Sequence, residues 1–447
     1  MSIFGTDGVR GRAGVGPLSS AGAMAIGAAF ASALQDLGYQ GAVAIARDTR
    51  ESGPMLAAAV SAGLASAGRD VVDFGVLPTP ALSWWLSEHP GLGGGVMITA
   101  SHNPWHDNGL KLFVAGGGKV PDPLQALTEK KVGAAHVATR FGRVDSQSVI
   151  EAYLVSLSTT FDGGGSLTGR VVVADGAAGA AHEALPMALR AAGAEVVVTS
   201  PVPDGRNINL ACGAVHPEAL ADAVKAHGAW AGVSVDGDGD RITIVDELGH
   251  VHDGDPIVGF LATGLQSAGL LPGALVVGTV TTNSGLERYL DERNVRLVRS
   301  KVGDRNVAAM MLEHNAPLGG ESSGHVLTPH LCPTGDGVRV ALEVLRQASV
   351  RGRPLSDLLG AIPRDPSAKR AVRVGARPAL DSLPALSALL AEADVALGQG
   401  GARRLLRYSG TEPVLRIQVE GPDRELVDTW ANRITECAQQ CIPPETD

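Results

Sequence analysis

Short runs of β-branched and aliphatic residues alternate along the chain with longer Ala/Leu-rich stretches at helical spacing. That alternation predicts α/β layers. In the first third, strands are predicted over 42–46, 71–74 and 95–100, with helices over 54–67 and 80–88. The order then recurs. Strands over 170–174, 195–199 and 231–235 alternate with helices over 180–192 and 217–227. A third set has strands over 274–280, 296–301 and 316–318 around helices over 285–292 and 306–314. From about residue 368 the order changes to strand, helix, two strands over 405–408 and 415–420, and a helix from 424. This is the pattern of a smaller α+β unit.

One stretch imitates a leader. No charge falls between Arg12 and Asp36, and the residues between are rich in Ala and Gly. Pro17, Ser19 and Ser20 interrupt it, and Met24, Phe30 and Leu34 are spaced for one helical face with Ser20 as the expected N-cap. Nowhere do about 20 strongly apolar residues run together. The expectation is a cytoplasmic chain with no membrane partner.

Each recurrent set ends its third strand in an unusual loop. The first reads Thr99-Ala100-Ser101-His102-Asn103-Pro104. The second reads Asp236-Gly237-Asp238-Gly239-Asp240-Arg241, and the third Gly320-Glu321-Ser322-Ser323-Gly324-His325. Ligands of open α/β sheets bind outside the carboxyl ends of strands. Three such loops therefore suggest three similar domains facing one cleft.

Length and charge narrow the picture. At roughly 100–200 residues per domain, 447 residues make three or four domains. With 37 basic and 47 acidic side chains the net charge is −10, which argues against a nucleic-acid partner. It leaves room for a small anionic ligand. The 58 Gly and 26 Pro point to many tight turns in a folded protein. Four cysteines (Cys212, Cys332, Cys437, Cys441) form no metal array, and Cys437 and Cys441 fall on one helical face as reduced thiols.

Three carboxylates on one short loop repel each other unless a cation sits among them. Asp236, Asp238 and Asp240 thus point to a hard cation, Mg²⁺ or Ca²⁺. An EF-hand is excluded, because the flanking helices and the sixth-position glycine are missing and a strand follows at once. Ser101, beside His102 and Asn103, is a candidate nucleophile or phosphate carrier. No Gly-x-Ser-x-Gly elbow supports a serine hydrolase. Arg407-Tyr408-Ser409-Gly410-Thr411-Glu412-Pro413, followed by Arg416, has the parts of a phosphate site: a guanidinium fork, hydroxyls, and a glycine that lets backbone N–H groups approach an anion. Glu321 and Ser323 set polar groups among glycines, suited to sugar hydroxyls. Gly116-Gly117-Gly118 lacks the ending of a P-loop and reads as a turn.

These four loops, in this order, resemble the signature loops of the α-D-phosphohexomutases across essentially the whole chain. The branch most similar is that of the bacterial phosphoglucosamine mutases. The resemblance there lies in Phe4-Gly5-Thr6-Asp7-Gly8-Val9-Arg10-Gly11, Asn207-Ile208-Asn209, Cys212-Gly213, His216-Pro217-Glu218, Asp253-Gly254-Asp255 and Lys301-Val302-Gly303-Asp304-Arg305. Tyr408 and Ala46 depart from the branch's usual Pro and Gly and touch only loop shape.

The resemblance implies an α/β protein of four domains around a central cleft. Three are similar α/β domains with mixed sheets, over 1–149, 150–253 and 254–365, and a smaller α+β domain covers 366–447. It implies that Ser101 carries a phosphoryl group to the sugar, giving glucosamine 1,6-bisphosphate, which serves as intermediate and activator. The net reaction would interconvert glucosamine 6-phosphate and glucosamine 1-phosphate, on the route to UDP-N-acetylglucosamine. One Mg²⁺ would be held by Ser101, Asp236, Asp238 and Asp240. Arg10, His102 and Lys111 would serve the reacting group, with Lys111 as general acid/base, and Arg241 would steady the phosphoserine. Glu321 and Ser323 would bind the sugar, and Arg407, Ser409, Gly410, Thr411 and Arg416 the resting phosphate. A homodimer is compatible with this reading. The rivals are a phosphomannomutase/phosphoglucomutase acting on a neutral hexose, a silent sugar-phosphate-binding protein, and a phosphatase with an aspartyl nucleophile.

Overall fold

The computed structural model describes residues 3–5, 7–134, 139–409 and 413–444. Among them lie four sheets. The first holds Val9–Arg12 (β1), Ala42–Arg47 (β2), Val71–Val76 (β3), Leu92–Ile98 (β4), Asp107–Val114 (β5) and Val144–Ser146 (β6), in the order β1-β5-β4-β2-β3-β6. The second holds Val171–Asp175 (β7), Glu195–Val198 (β8), Ala231–Val235 (β9), Ile242–Asp246 (β10) and Val251–His252 (β11), in the order β11-β10-β9-β7-β8. The third holds Leu275–Thr279 (β12), Arg296–Ser300 (β13), Gly319–Gly320 (β14) and Val326–Leu327 (β15), in the order β13-β12-β14-β15. The last is antiparallel: Ser367–Arg373 (β16), Arg403–Tyr408 (β17) and Val414–Glu420 (β18), with β18 in the middle.

The first three sheets share one local device. A parallel strand runs to its carboxyl end, enters a signature loop, and returns as an antiparallel neighbour. β4 returns as β5 through Ser101, β9 as β10 through the three aspartates, and β14 as β15 through Glu321. Mixed sheets follow directly, because the return strand must pair beside the strand that fed it.

Three details differ from the sequence reading. The third-sheet strand predicted over 316–318 lies one step later, at Gly319–Gly320, since glycines there let Met311 and the Val277 carbonyl approach closely. Ser19, not Ser20, caps the first long helix, accepting the Gly22 N–H at 3.1 Å. Met24 is 47% exposed, and the buried stripe runs instead through Ile26, Phe30 and Leu34. The surrounding small residues serve close helix packing: a Cβ at Gly63 would stand 2.1 Å from the Met24 carbonyl oxygen.

One apolar core runs continuously through the first three units, from Ala44 and Phe113 through Val172 and Ile242 to Leu345 and Ile362. The fourth has a core of its own, around Leu390, Ile417 and Trp430. It docks on the third unit through polar groups. Buried Glu420 accepts the Ser284 N–H at 3.1 Å and pairs with Arg403, which donates to the carbonyls of Val280 (2.9 Å) and Thr282 (2.6 Å).

Candidate active site

The second loop sits between the other two. The Thr79 N–H and hydroxyl donate to Asp238 from one side, at 2.9 and 2.6 Å. On the other side the Ile242 N–H donates to the Gly324 carbonyl at 3.0 Å. Ser101 lies on the first loop with φ +53°, in the left-handed region that a serine rarely adopts. Its Oγ donates to Asp236 Oδ2 at 2.6 Å and stands 3.3 Å from His102 Nδ1. Ser101 and the three aspartates are all buried.

The contact between the first two loops depends on Gly237. A Cβ there would meet the Ser101 carbonyl oxygen at 2.5 Å and Asn209 Nδ2 at 2.7 Å. Gly237→Ala should therefore destabilise the protein by about 1–3 kcal/mol, the range of overpacked sites. Thermal melts check this, and an unchanged Tm would refute the close approach.

Asp236, Asp238 and Asp240 can each offer an oxygen such that all three lie within 4.8 Å of one another. Among the described residues no other cluster of three acidic, His or Cys side chains does so. Asp238 Oδ1 and Asp240 Oδ1 are buried without a hydrogen-bond partner. Orphaned hard oxygens of this kind fit a divalent cation. Burial, reinforced by the neighbouring Asp240 and Asp238, pushes the Asp236 carboxyl up to about 7. Asp240 is also penalised by burial, but Lys111, His325 and Arg241 hold it well below the usual range.

Lys111 is the internal counter-charge. Its Nζ lies 2.8 Å from both Asp238 Oδ2 and Asp240 Oδ2 and 3.3 Å from Asp7. Burial opposes its charge, yet these carboxylates raise its pKa well above the ordinary lysine value. It is an ammonium at neutral pH and suits a proton donor rather than a base. His102 is the reverse: burial, with Arg241 and Arg10 nearby, lowers it to about 4, so its ring is neutral. Arg241 Nε stands 4.0 Å from Asp236 and 3.9 Å from Asp240. Arg10 on β1 donates to Asp7 at 2.7 Å.

The strands of the fourth sheet face a cavity of about 500 Å³ lined in part by Thr281, Ser322, Lys369, Arg407 and Arg416. Arg407 and Arg416 are direct cross-strand partners. The register sets two guanidinium-bearing residues side by side on adjacent strands, and like charges in that position cost a sheet some stability. Ser409 is buried, while Gly410 and Thr411 lie outside the described residues. Glu321 accepts the Gly303 N–H at 2.8 Å. Ser323 is exposed, and it is Ser322 that lines the cavity.

Sequence reasoning assigned no role to Asp7, Lys119, Asp304 or His325. Lys119 bridges Asp7 and Asp304 through two short contacts, joining the first unit to the third. His325 lies between Asp240 (3.6 Å) and Asp304 (3.5 Å). Asp7 and Asp304 fall inside motifs used above only for resemblance, and His325 closes the third loop. A buried ion pair between distant segments has no local sequence signal.

Four family profiles match in succession. They are the phosphoglucomutase/phosphomannomutase alpha/beta/alpha domains I (residues 1–136), II (152–249) and III (253–365), and the C-terminal domain (370–436). The chain belongs to the phosphoglucomutase/phosphomannomutase family. Its four-domain α/β architecture is the family's, and the chain is an intramolecular phosphotransferase of the isomerase class. It is 44% identical to the phosphoglucosamine mutase of Symbiobacterium thermophilum over 443 residues, covering 97% of this chain and 98% of that one. It is 45% identical to the phosphoglucosamine mutase of Moorella thermoacetica over 430 residues (95% and 96%). The solved phosphoglucomutase/phosphomannomutase family protein of Burkholderia thailandensis matches with a TM-score of 0.83 at 27% identity (98% and 97% covered). Among the described residues no helix is long and apolar enough to cross a membrane.

Proposed function

We propose that this phosphohexomutase interconverts glucosamine 6-phosphate and glucosamine 1-phosphate in the cytoplasm, with Ser101 as the phosphoryl carrier. The observation that carries the chemistry is the Ser101 hydroxyl, 2.6 Å from Asp236 within a buried triad of metal-ligating geometry. The choice of an amino sugar rests on the relatives' shared name.

Ser101, Asp236, Asp238 and Asp240 would hold a Mg²⁺, which when bound offsets the charge between the carboxylates and the transferring phosphoryl group. A sugar hydroxyl oxygen bonds to phosphorus as the Ser101 Oγ–P bond breaks, and in balance one proton is lost by the sugar hydroxyl and one gained by Oγ, so that Ser101 leaves as a neutral hydroxyl. Lys111, held as an ammonium, would relay that proton, giving one to the departing Oγ and taking the sugar's in its place. Arg10 and Arg241 add positive charge, and neutral His102 does not compete for the proton. Glucosamine 1,6-bisphosphate then turns within the cleft and returns its other phosphoryl group to Ser101. Glu321 and Ser323 would bind the sugar in both orientations. Arg407, Ser409, Gly410, Thr411 and Arg416 would hold the phosphate not in transfer, and positioning of this kind is most of what phosphoryl transfer requires.

Arg407→Ala should raise KM for the sugar phosphate about 10- to 100-fold, since a guanidinium–phosphate contact is present in ground and transition states alike. Steady-state kinetics reads this directly. The function itself is tested by comparing glucosamine 6-phosphate, glucose 1-phosphate and mannose 1-phosphate, with Mg²⁺ and a sugar bisphosphate supplied. The amino sugar should lead in kcat/KM by at least about tenfold, or about 1.4 kcal/mol. A preference for either neutral hexose would overturn the proposal.

A further inference from the structure

Arg50 has no part in the chemistry above, yet it is among the most completely buried side chains of the protein. It follows Arg47-Asp48-Thr49, and neither its side chain nor that of Asp48 has exposed surface. Its Nε donates to Asp48 Oδ2 at 2.9 Å. Its Nη2 donates to the carbonyls of Ser101 (2.9 Å) and Asn103 (2.8 Å), and its Nη1 to those of Asp107 (2.9 Å) and Pro104. One guanidinium therefore gathers three carbonyls from the loop that carries Ser101 and a fourth from the first residue of β5, where that loop ends. Asp48 completes the clamp: its Oδ2 accepts the Thr99 hydroxyl at 2.6 Å, and Thr99 Oγ1 in turn accepts the Ser101 N–H at 2.8 Å.

Two observations separate this from an ordinary buried ion pair. A buried pair contributes little net stability, and here every backbone contact of the guanidinium goes to one functional loop or to the strand residue that ends it. Ser101 also sits at φ +53°, a conformation that persists only where its surroundings over-determine it. Arginine's rigid fork can do that, and lysine's single ammonium cannot reach four carbonyls.

We infer that Arg50, oriented by Asp48, is a positioning residue for phosphoryl transfer. It fixes the Ser101 backbone so that Oγ is presented to the aspartate triad. The inference rests on Ser101 being the phosphoryl carrier.

The test is a rapid-quench single turnover of full-length phosphoenzyme with glucosamine 6-phosphate, alongside steady-state kinetics. Arg50→Lys should transfer about 100-fold more slowly, the cost of misplacing reacting atoms by about 1 Å, with KM within threefold of wild type. Arg50→Ala should regain part of its rate with added guanidinium ion and none with ammonium. Transfer by Arg50→Lys within threefold of wild type, or no response of Arg50→Ala to guanidinium, overturns the inference. Should the arginine variants not fold, Thr99→Val decides. Transfer slowed about tenfold at unchanged KM supports the clamp, and transfer within twofold of wild type overturns it. A wild-type enzyme that never carries label on Ser101 would instead sink the phosphoserine reading, so the two failures are distinct.

Discussion

Ser101→Ala lowers kcat by at least about 10⁴-fold, as expected when a covalent carrier is lost. The fold survives it. The serine hydroxyl makes one strong hydrogen bond, to Asp236, and losing a bond of this kind costs about 1–2 kcal/mol. Left without that donor, Asp236 holds its proton more firmly still. Sugar phosphate should still bind, because the Arg407 and Arg416 cavity belongs to another domain. The decisive pair of measurements is turnover and calorimetric binding on the same preparation. Mutase activity retained in the variant would refute the carrier assignment and revive the aspartyl-phosphate rival. Acid-stable label on Ser101 in the wild type excludes that rival.

Metal removal has the other large effect. Chelation should reduce turnover at least about 10³-fold, with recovery on adding Mg²⁺, because a phosphoserine beside three buried aspartates is untenable without a cation. The pH dependence follows from Asp236. Its carboxyl is raised to about 7 in the metal-free protein, so below neutrality a cation must displace a proton. Apparent Mg²⁺ affinity should fall about tenfold per pH unit below 7 and level off above it. For the metal-free protein the sign is opposite. Its native state binds more protons than the unfolded chain from the ordinary aspartate value of 3.8 up to about 7. Its stability therefore drops as pH rises through that window. Calorimetric titrations in two buffers of different ionisation enthalpy would report near one proton released at pH 6 and almost none at pH 8.5. An affinity flat across that range rules out the protonated Asp236.

Loops with dense local chemistry were legible in the sequence. Asp236, Asp238 and Asp240 repel each other on any backbone, so their spacing alone implied a cation. Most parallel strands were legible too, as apolar runs bounded by glycines. Gly319–Gly320 was not, because its strand character comes from β12 and β15 and not from its own side chains. Asp7, Lys119, Asp304 and His325 were hidden for a related reason. Their meaning is pairwise across domains, and pairs far apart in the chain leave no spacing to read. Arg50 was not legible, since its partners are backbone carbonyls about fifty positions away.

The separate core of the fourth unit makes the cleft a joint between two cooperative folding units. The first three domains share one continuous apolar cluster, beside a second cluster inside the first domain, and that shared packing couples their unfolding. The fourth is tied on chiefly by Arg403 and Glu420, which are polar and confined to one end of its β17–β18 hairpin. A sugar phosphate spanning from Ser101 to Arg407 would thus act as a thermodynamic rivet. Its binding energy would be spent partly on merging two melting units into one, linking substrate occupancy to the cooperativity of the whole chain.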